Sequence, residues 1–455
     1  MYSFFFSFRG FLHYGSNKCS PLSIAEVRFG RRKVCRGADV LISDGSITLE
    51  FKRFDHYKFI YKECFLVEIL YGDGIHDDTA AIQELIDSGV CEVSLPVPKV
   101  CYLISRPLEL PSNFRLVLPR FAEIKLAAGS DCEMLRNKMI PDFAERIEPG
   151  IFGFINKFSP DYQCQNIEVI GGIWNCNNLE QKPNPMMAED TSGYSGMGML
   201  FYNVTNLHIS SLTVKDPVTF SITLDTVSYF TVDNITFDFN YGNPLPTNMD
   251  GVHLNGNCSF GKLTNLKGRC FDDLIALNAE EGTNGPITNI DIDGIYAEDC
   301  HSAVRLLTVT NPVEYISIRN VYGTYYQYCI ALTKFYNGPR TGYYDGITLE
   351  NIYVSKAERY KIYNKDALPI CPIIGVDSEL YVKNLKISGL FRKEYKVPID
   401  TILIGEKVVV DSLILENISV ENHTDTPEMP LMTVNGEIKS LYARNVFADG
   451  KKIEF

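Results

Sequence analysis

Ile290-Asp291-Ile292-Asp293-Gly294-Ile295 is answered by Ile316-Ser317-Ile318-Arg319-Asn320-Val321, and again by Ile347-Thr348-Leu349-Glu350-Asn351-Ile352. Each phrase is an alternating apolar run, a small residue or Asn, one more apolar residue, and then a polar turn. Earlier copies stand at Leu207-His208-Ile209-Ser210-Ser211-Leu212 and Thr231-Val232-Asp233-Asn234-Ile235. Later ones stand at Val382-Lys383-Asn384-Leu385, Leu415-Glu416-Asn417-Ile418 and Ala443-Arg444-Asn445-Val446. Taking the small residue or Asn as the marker, Ser211, Asn234, Asn265, Gly294, Asn320, Asn351, Asn384, Asn417 and Asn445 follow one another at intervals of 23 to 33 residues. A period of this size is the mark of a solenoid. Alternation with period 2 and enrichment in Ile, Val, Thr and Tyr make the units strands, not helices. The expected fold is therefore all-β, a parallel β-helix in which each coil buries its inward side chains against the next. The recurrent Asn suits a bend, because it tolerates the left-handed region and its amide can stack on the Asn of the neighbouring coil.

Upstream, Tyr71-Gly72-Asp73-Gly74-Ile75-His76-Asp77-Asp78 runs into Thr79-Ala80-Ala81-Ile82-Gln83-Glu84-Leu85-Ile86. Asp77 or Asp78 is a good N-cap, and Ala81, Ile82, Leu85 and Ile86 form an apolar stripe at helical spacing. An amphipathic helix here would close the open end of the solenoid and keep it a monomer. Asp73, Asp77 and Asp78 could hold a cation, but capping and turn chemistry explains them more simply. Residues 1–70 fall outside the repeat. Val40–Leu49 reads as two short strands around Asp44-Gly45, so the expected organisation is a small N-terminal β appendage over 1–70 and a β-helix over 71–455.

Composition narrows the function. With 43 basic and 56 acidic residues the formal charge is −13, the wrong sign for a protein held to nucleic acid or anionic lipid by its overall field. The 13 cysteines are odd in number and lack a Cys-x-x-Cys pair, which argues for reduced buried thiols and against a disulfide framework or a zinc site. No stretch approaches the ~20 apolar residues of a membrane span. Met1–Gly15 lacks a basic segment ahead of Phe4-Phe5-Phe6 and a small-residue cleavage site. The expectation is a soluble cytoplasmic protein, with secretion open if the start codon lies elsewhere.

Chemistry concentrates in Asn248-Met249-Asp250-Gly251, Asp272-Asp273 and His301. Asp250 and Asp272 are 22 residues apart, about one repeat, so they should lie on adjacent coils separated by roughly 4.8 Å. His301 follows Asp273 by 28 residues and Lys334 follows His301 by 33, which puts four polar sites at one-coil intervals on one face. Like charges this close cannot all ionise freely, so one carboxyl should keep its proton near neutrality. Taken alone, Asp272-Asp273 reads as a polar turn and His301 beside Cys300 as a wall residue; their spacing favours catalysis. Arg305 could contact an anion or pair with Glu280 or Glu281.

In their order these residues resemble glycoside hydrolase family 28, the polygalacturonases and their relatives, whose signature is Asn-Thr-Asp, Asp-Asp, Gly-His-Gly and Arg-x-Lys. Asn248-Met249-Asp250, Asp272-Asp273, Cys300-His301-Ser302 and Leu332-Thr333-Lys334 are similar to the four elements. The string at 72–83 resembles the opening motif of the wider pectin-lyase-like superfamily. The resemblance implies a right-handed β-helix and inverting hydrolysis of pectic or related plant oligo- and polysaccharides, with no cofactor or metal. It implies that Asp272 is the general acid, that Asp250 and Asp273 hold and deprotonate the water, and that His301 bonds within the set. An inverting pair would stand roughly 6.5–9.5 Å apart. Asn248, Lys334 and Arg305 would bind substrate, Arg305 replacing the charge lost where the family's Arg is Leu332. Without both glycines and that Arg, polygalacturonate itself becomes a doubtful substrate, and rhamnogalacturonan or other oligosaccharides become plausible. Exo action would follow if the loop 178–198, with Pro183, Asn184, Pro185, Met186 and Met187, walls off the cleft. The competing readings are a polysaccharide lyase on the same fold and a non-catalytic glycan-binding solenoid.

Overall fold

The alternation that marks each repeat becomes a strand whose apolar positions point inward and meet their counterparts one coil away. The computed structural model describes residues 70–138, 140, 163–183, 194–239, 248–336, 338, 340–358 and 371–455. It also describes the backbone of short strands at Leu22–Ile24, Val27–Phe29, Arg32–Cys35, Ala38–Ser43, Ser46–Phe51, Ile147–Gly150 and Gly153–Asn156. The chain divides into two units, Met1–Ile69 and Leu70–Phe455. In the first, Ala38–Ser43 pairs antiparallel with both Leu22–Ile24 and Ser46–Phe51. Asp44-Gly45 lies outside the described residues.

The second unit is a right-handed parallel β-helix. Its long strands bend where one residue takes positive φ, and the repeat marks those bends. Ser211, Asn234, Asn265, Gly294, Asn320, Asn351, Asn417 and Asn445 all lie between φ 54° and 89°. Asn351 Nδ2 donates to Asn320 Oδ1 at 3.2 Å, and Asn445 Nδ2 to Asn417 Oδ1 at 3.1 Å. Asn384 is not a bend residue. The bend in its coil is Gly389, φ 72°, whose would-be Cβ meets Asn351 Oδ1 at 3.0 Å. Asn384 instead donates to Asp345 Oδ1 at 2.8 Å.

The face that carries the candidate residues is an eleven-stranded parallel sheet among the described residues, from Leu108–Leu110 to Met432–Val434. One inward row runs Ile222, Val252, Ile275, Val304, Ile330, Ile374, Ile402, each the register partner of the next and each fully buried. The adjacent outward row runs Thr223, His253, Ala276, Arg305, Ala331, Gly375. Because strands lie about 4.8 Å apart, a residue's neighbours on this face are the register partners on the coils before and after it.

A helix at Thr79–Asp87 caps the first coil with Ile82 and Ile86 buried in the common core. Gln83 exchanges hydrogen bonds with the Glu109 backbone, at 3.1 Å to its oxygen and 2.8 Å from its N–H. The acidic string before the helix does local work. Asp77 Oδ1 accepts the Thr79 N–H at 2.9 Å, Asp78 accepts the Tyr71 and Gly72 amides, and Asp73 accepts those of Ile75 and His76. The ten cysteines among the described residues are free thiols. No helix among the described residues is long and apolar enough to cross a membrane.

Candidate active site

Three successive coils enter the eleven-stranded sheet at one edge, and the candidate residues sit at those entries. Asp250 precedes the strand Val252–Asn255, Asp273 opens Asp273–Asn278, and His301 precedes Ser302–Leu307. Asp273 and Ser302 are register partners. Hydrogen bonds between coils fix the spacing: Gly251 N–H donates to Asp273 O at 3.0 Å and His301 N–H to Cys270 O at 3.2 Å. The one-repeat spacing read from the sequence therefore brings Asp250, Asp272, Asp273 and His301 together.

Their side chains are joined as well. Asp273 N–H donates to Asp250 Oδ1 at 3.2 Å. The Asn248 amide, in the left-handed region at φ 58°, donates to Asp272 Oδ2 at 3.1 Å. His301 Nδ1 lies 3.6 Å from Asp272 Oδ1 and 3.8 Å from Asp273 Oδ1, and 3.0 Å from Ser302 Oγ. Oxygens of Asp272 and Asp273 lie within 4.8 Å of each other, so this pair does not span the gap expected of an inverting couple.

Exposure separates the three aspartates. The Asp272 side chain is 21% exposed, whereas those of Asp250 and Asp273 are 3% and 1%. Burial pushes the Asp250 carboxyl up to about 7, against the pull of its His253 hydrogen bond. Burial also raises Asp273, with the Arg305 charge opposing it.

Arg305 does reach the site. Its Nε lies 2.8 Å from Asp273 Oδ2, and its guanidinium sits 5.7 Å from the Phe335 ring centre. Glu281 adds to the negative field around it. Glu280 is not its partner, since that carboxylate accepts the backbone N–H groups of Val309, Thr310 and Asn311 at 2.6–2.8 Å.

Two expectations are corrected. Lys334 is not brought to the carboxylates: its Nζ bonds Glu379 at 2.7 Å and Gly338 O at 3.3 Å. The loop that carries it reaches the site through the next two residues, Phe335 over Arg305 and Tyr336, whose hydroxyl donates to Glu281 at 2.8 Å. Nor is Leu332 a vacated Arg position, because its side chain points into the core and Ala331 is the outward partner of Arg305. Of the loop 178–198, Asn178–Glu180 forms a short 3-10 turn, and Asn184, Pro185, Met186 and Met187 lie outside the described residues.

The sequence reading missed His253. It lies on the outward row three residues after Asp250, 1% exposed, with Nδ1 2.7 Å from Asp250 Oδ2 and Nε2 3.0 Å from Glu281 Oε2. The Phe220 ring stacks on it at 3.7 Å. Burial opposes charge on this ring, but the hydrogen bond to Asp250 and the Glu281 carboxylate paired with Nε2 outweigh it and hold the imidazolium up to about 9. Glu281 is correspondingly held down at about 2, burial opposed by His253 and Arg305. The signal in the sequence was strand alternation, which puts positions 253 and 305 on the outer face.

No model of a known protein family matches this sequence, and no curated protein matches it. Solved structures do. A tailspike protein mutant of E. coli bacteriophage HK620, in complex with a pentasaccharide, is similar with a TM-score of 0.50 and 12% identity, covering 80% of this chain and 62% of the tailspike. An exopolygalacturonase from Thermotoga maritima gives 0.49 and 14%, covering 84% and 90%. PfbA, a surface adhesin of Streptococcus pneumoniae, gives 0.44 and 15%, covering 82% and 91%. At these identities the likeness is one of fold.

Proposed function

We propose that this protein is an O-glycosyl hydrolase of the polygalacturonase-like kind, acting on pectic or related plant oligo- or polysaccharides. One observation carries the reading: Asp272 is a solvent-facing carboxyl held between the Asn248 amide and His301, with two buried carboxyls directly behind it. A carboxyl that meets solvent, held by the Asn248 N–H and with His301 beside it, suits a general acid protonating a leaving oxygen. Asp250 does not suit the water, because Asp273 N–H occupies one of its oxygens and His253 the other. The base role passes to Asp273, with Arg305 as the group that must swing aside to admit the water. Arg305, which the sequence reading assigned to substrate, would then stand as a cation beside the scissile bond.

The motif order of family 28 implies inversion. The short Asp272–Asp273 spacing is the observation that favours the alternative, a retaining course, since retaining pairs stand about 5–5.5 Å apart. Incubation with a panel of pectic and other plant oligosaccharides, followed by NMR of the newly released anomer, tests both. Release of the inverted anomer supports the proposal in full, and the retained anomer overturns inversion alone. An unsaturated, ultraviolet-absorbing product would make the protein a lyase, and glycan binding without cleavage would make it a non-catalytic solenoid.

A further inference from the structure

We infer that His253 is a positioning residue, an imidazolium through the neutral range clamped between Asp250 and Glu281, and that this clamp fixes the Asp273 backbone against which the reacting carboxyls are set. The kinetic part of this inference rests on the hydrolase reading; the charge state of His253 does not.

Geometry leaves the ring few options. Both nitrogens face carboxylate oxygens, at 2.7 Å and 3.0 Å, and a neutral imidazole would turn one lone pair toward one of them. Each carboxylate is also committed elsewhere. Asp250 Oδ1 takes the Asp273 amide at 3.2 Å, while Glu281 takes the Asn278 side-chain amide at 2.8 Å and the Tyr336 hydroxyl at 2.8 Å. Phe220 packs on the ring face, and its register partners on the coils either side are the uncharged Thr223 and Ala276. Arg305 is the further charge in this shell, acting on Glu281 and Asp273. Breaking a buried ionic chain at its middle leaves charges uncompensated, which is the costly way to disturb one. The chain runs Asp273 amide, Asp250, His253, Glu281, Tyr336, so it ties two coils and the loop after Thr333 to the turn that carries Asp272 and Asp273.

The test is made on the full-length protein with 15N-labelled histidine, which contains seven histidines in all. The His253 ring signals are assigned as those missing from His253→Gln. Both ring nitrogens should carry protons throughout pH 5 to 8, and a titration midpoint near the ordinary ~6.5 would overturn the inference. Glu281→Gln, which keeps the shape, should let one ring proton leave within that range; an unchanged ring would also overturn it. This second variant serves if His253→Gln does not fold. On whichever oligosaccharide the wild type cleaves, His253→Gln should lower kcat about 100-fold with KM within about threefold, the pattern of misplaced catalytic groups. A KM effect alone would overturn the positioning role. If the wild type cleaves no oligosaccharide, the hydrolase reading fails while the NMR result still decides the charge state.

Discussion

Asp272 Oδ1 and His301 Nδ1 lie 3.6 Å apart across two successive coils, and on the solvent side of this contact Asp272 is the aspartate of the three that is open. Its partners approach from the backbone and from the next coil, so the carboxyl is aimed without being enclosed.

Asp272→Asn should therefore abolish turnover without unfolding the protein. Loss of a general acid costs roughly 10²–10⁴-fold in rate. A partly exposed isosteric change should leave the melting temperature within about 2 °C, given that surface changes usually stay within about 0.5 kcal/mol. Kinetics beside a thermal scan checks both, and retained activity would exclude Asp272 as the acid.

Arg305→Gln should move the acidic limb of kcat/KM to higher pH. The guanidinium favours the ionised form of Asp273, so its removal raises that carboxyl further. A pH profile measured on the same substrate reads the displacement, and a shift to lower pH would contradict the pairing.

Lys334→Met should leave kcat and KM unchanged. The side chain is turned to Glu379 and to the Gly338 carbonyl, not to the carboxylate cluster. A rise in KM would restore Lys334 to the substrate site.

Stability should be greatest in mildly acidic solution and fall to either side. His253 is held above its unfolded value of about 6.5, so its contribution is full below that pH and is lost as pH rises through about 9. Asp250, raised to about 7 by burial, has the same sign, its share falling as pH rises from about 4 to 7. Glu281 is lowered, so its contribution is present above about 4.5 and lost as pH falls through about 2. Urea unfolding as a function of pH checks this, and His253→Gln should flatten the alkaline side.

At the bends, Asn320→Ala should destabilise the solenoid by roughly 1–2 kcal/mol, because Asn320 holds φ 57° and its amide donates to Asp293 Oδ1 at 2.7 Å. Asn320→Gly should recover the backbone part of that loss. Equal unfolding midpoints for the two variants would show that only the hydrogen bond matters.

Much of this was legible in the chain. Alternation specified strands, and the bend residues gave the period, because both follow from local backbone chemistry. Asp250, Asp272, Asp273 and His301 were legible for the same reason, since a repeat converts spacing into proximity. The reading slipped where a loop length was not local. Asn384 resembled a bend marker, but the register set by Asn351 and Asn417 assigns that place to Gly389. Lys334 stood at the right interval, yet the chain turns after Thr333 and sends Phe335 and Tyr336 to the site in its place.

The sequence by itself determined a parallel β-helix capped by a helix and an acidic cluster on one of its faces, because period and alternation are properties of short segments. Only the tertiary structure decided which carboxyl meets solvent, that His253 stands between Asp250 and Glu281, and that Arg305 pairs with Asp273. Those facts depend on burial and on which side chains from separate coils and loops share one low-dielectric space, and no local pattern encodes that.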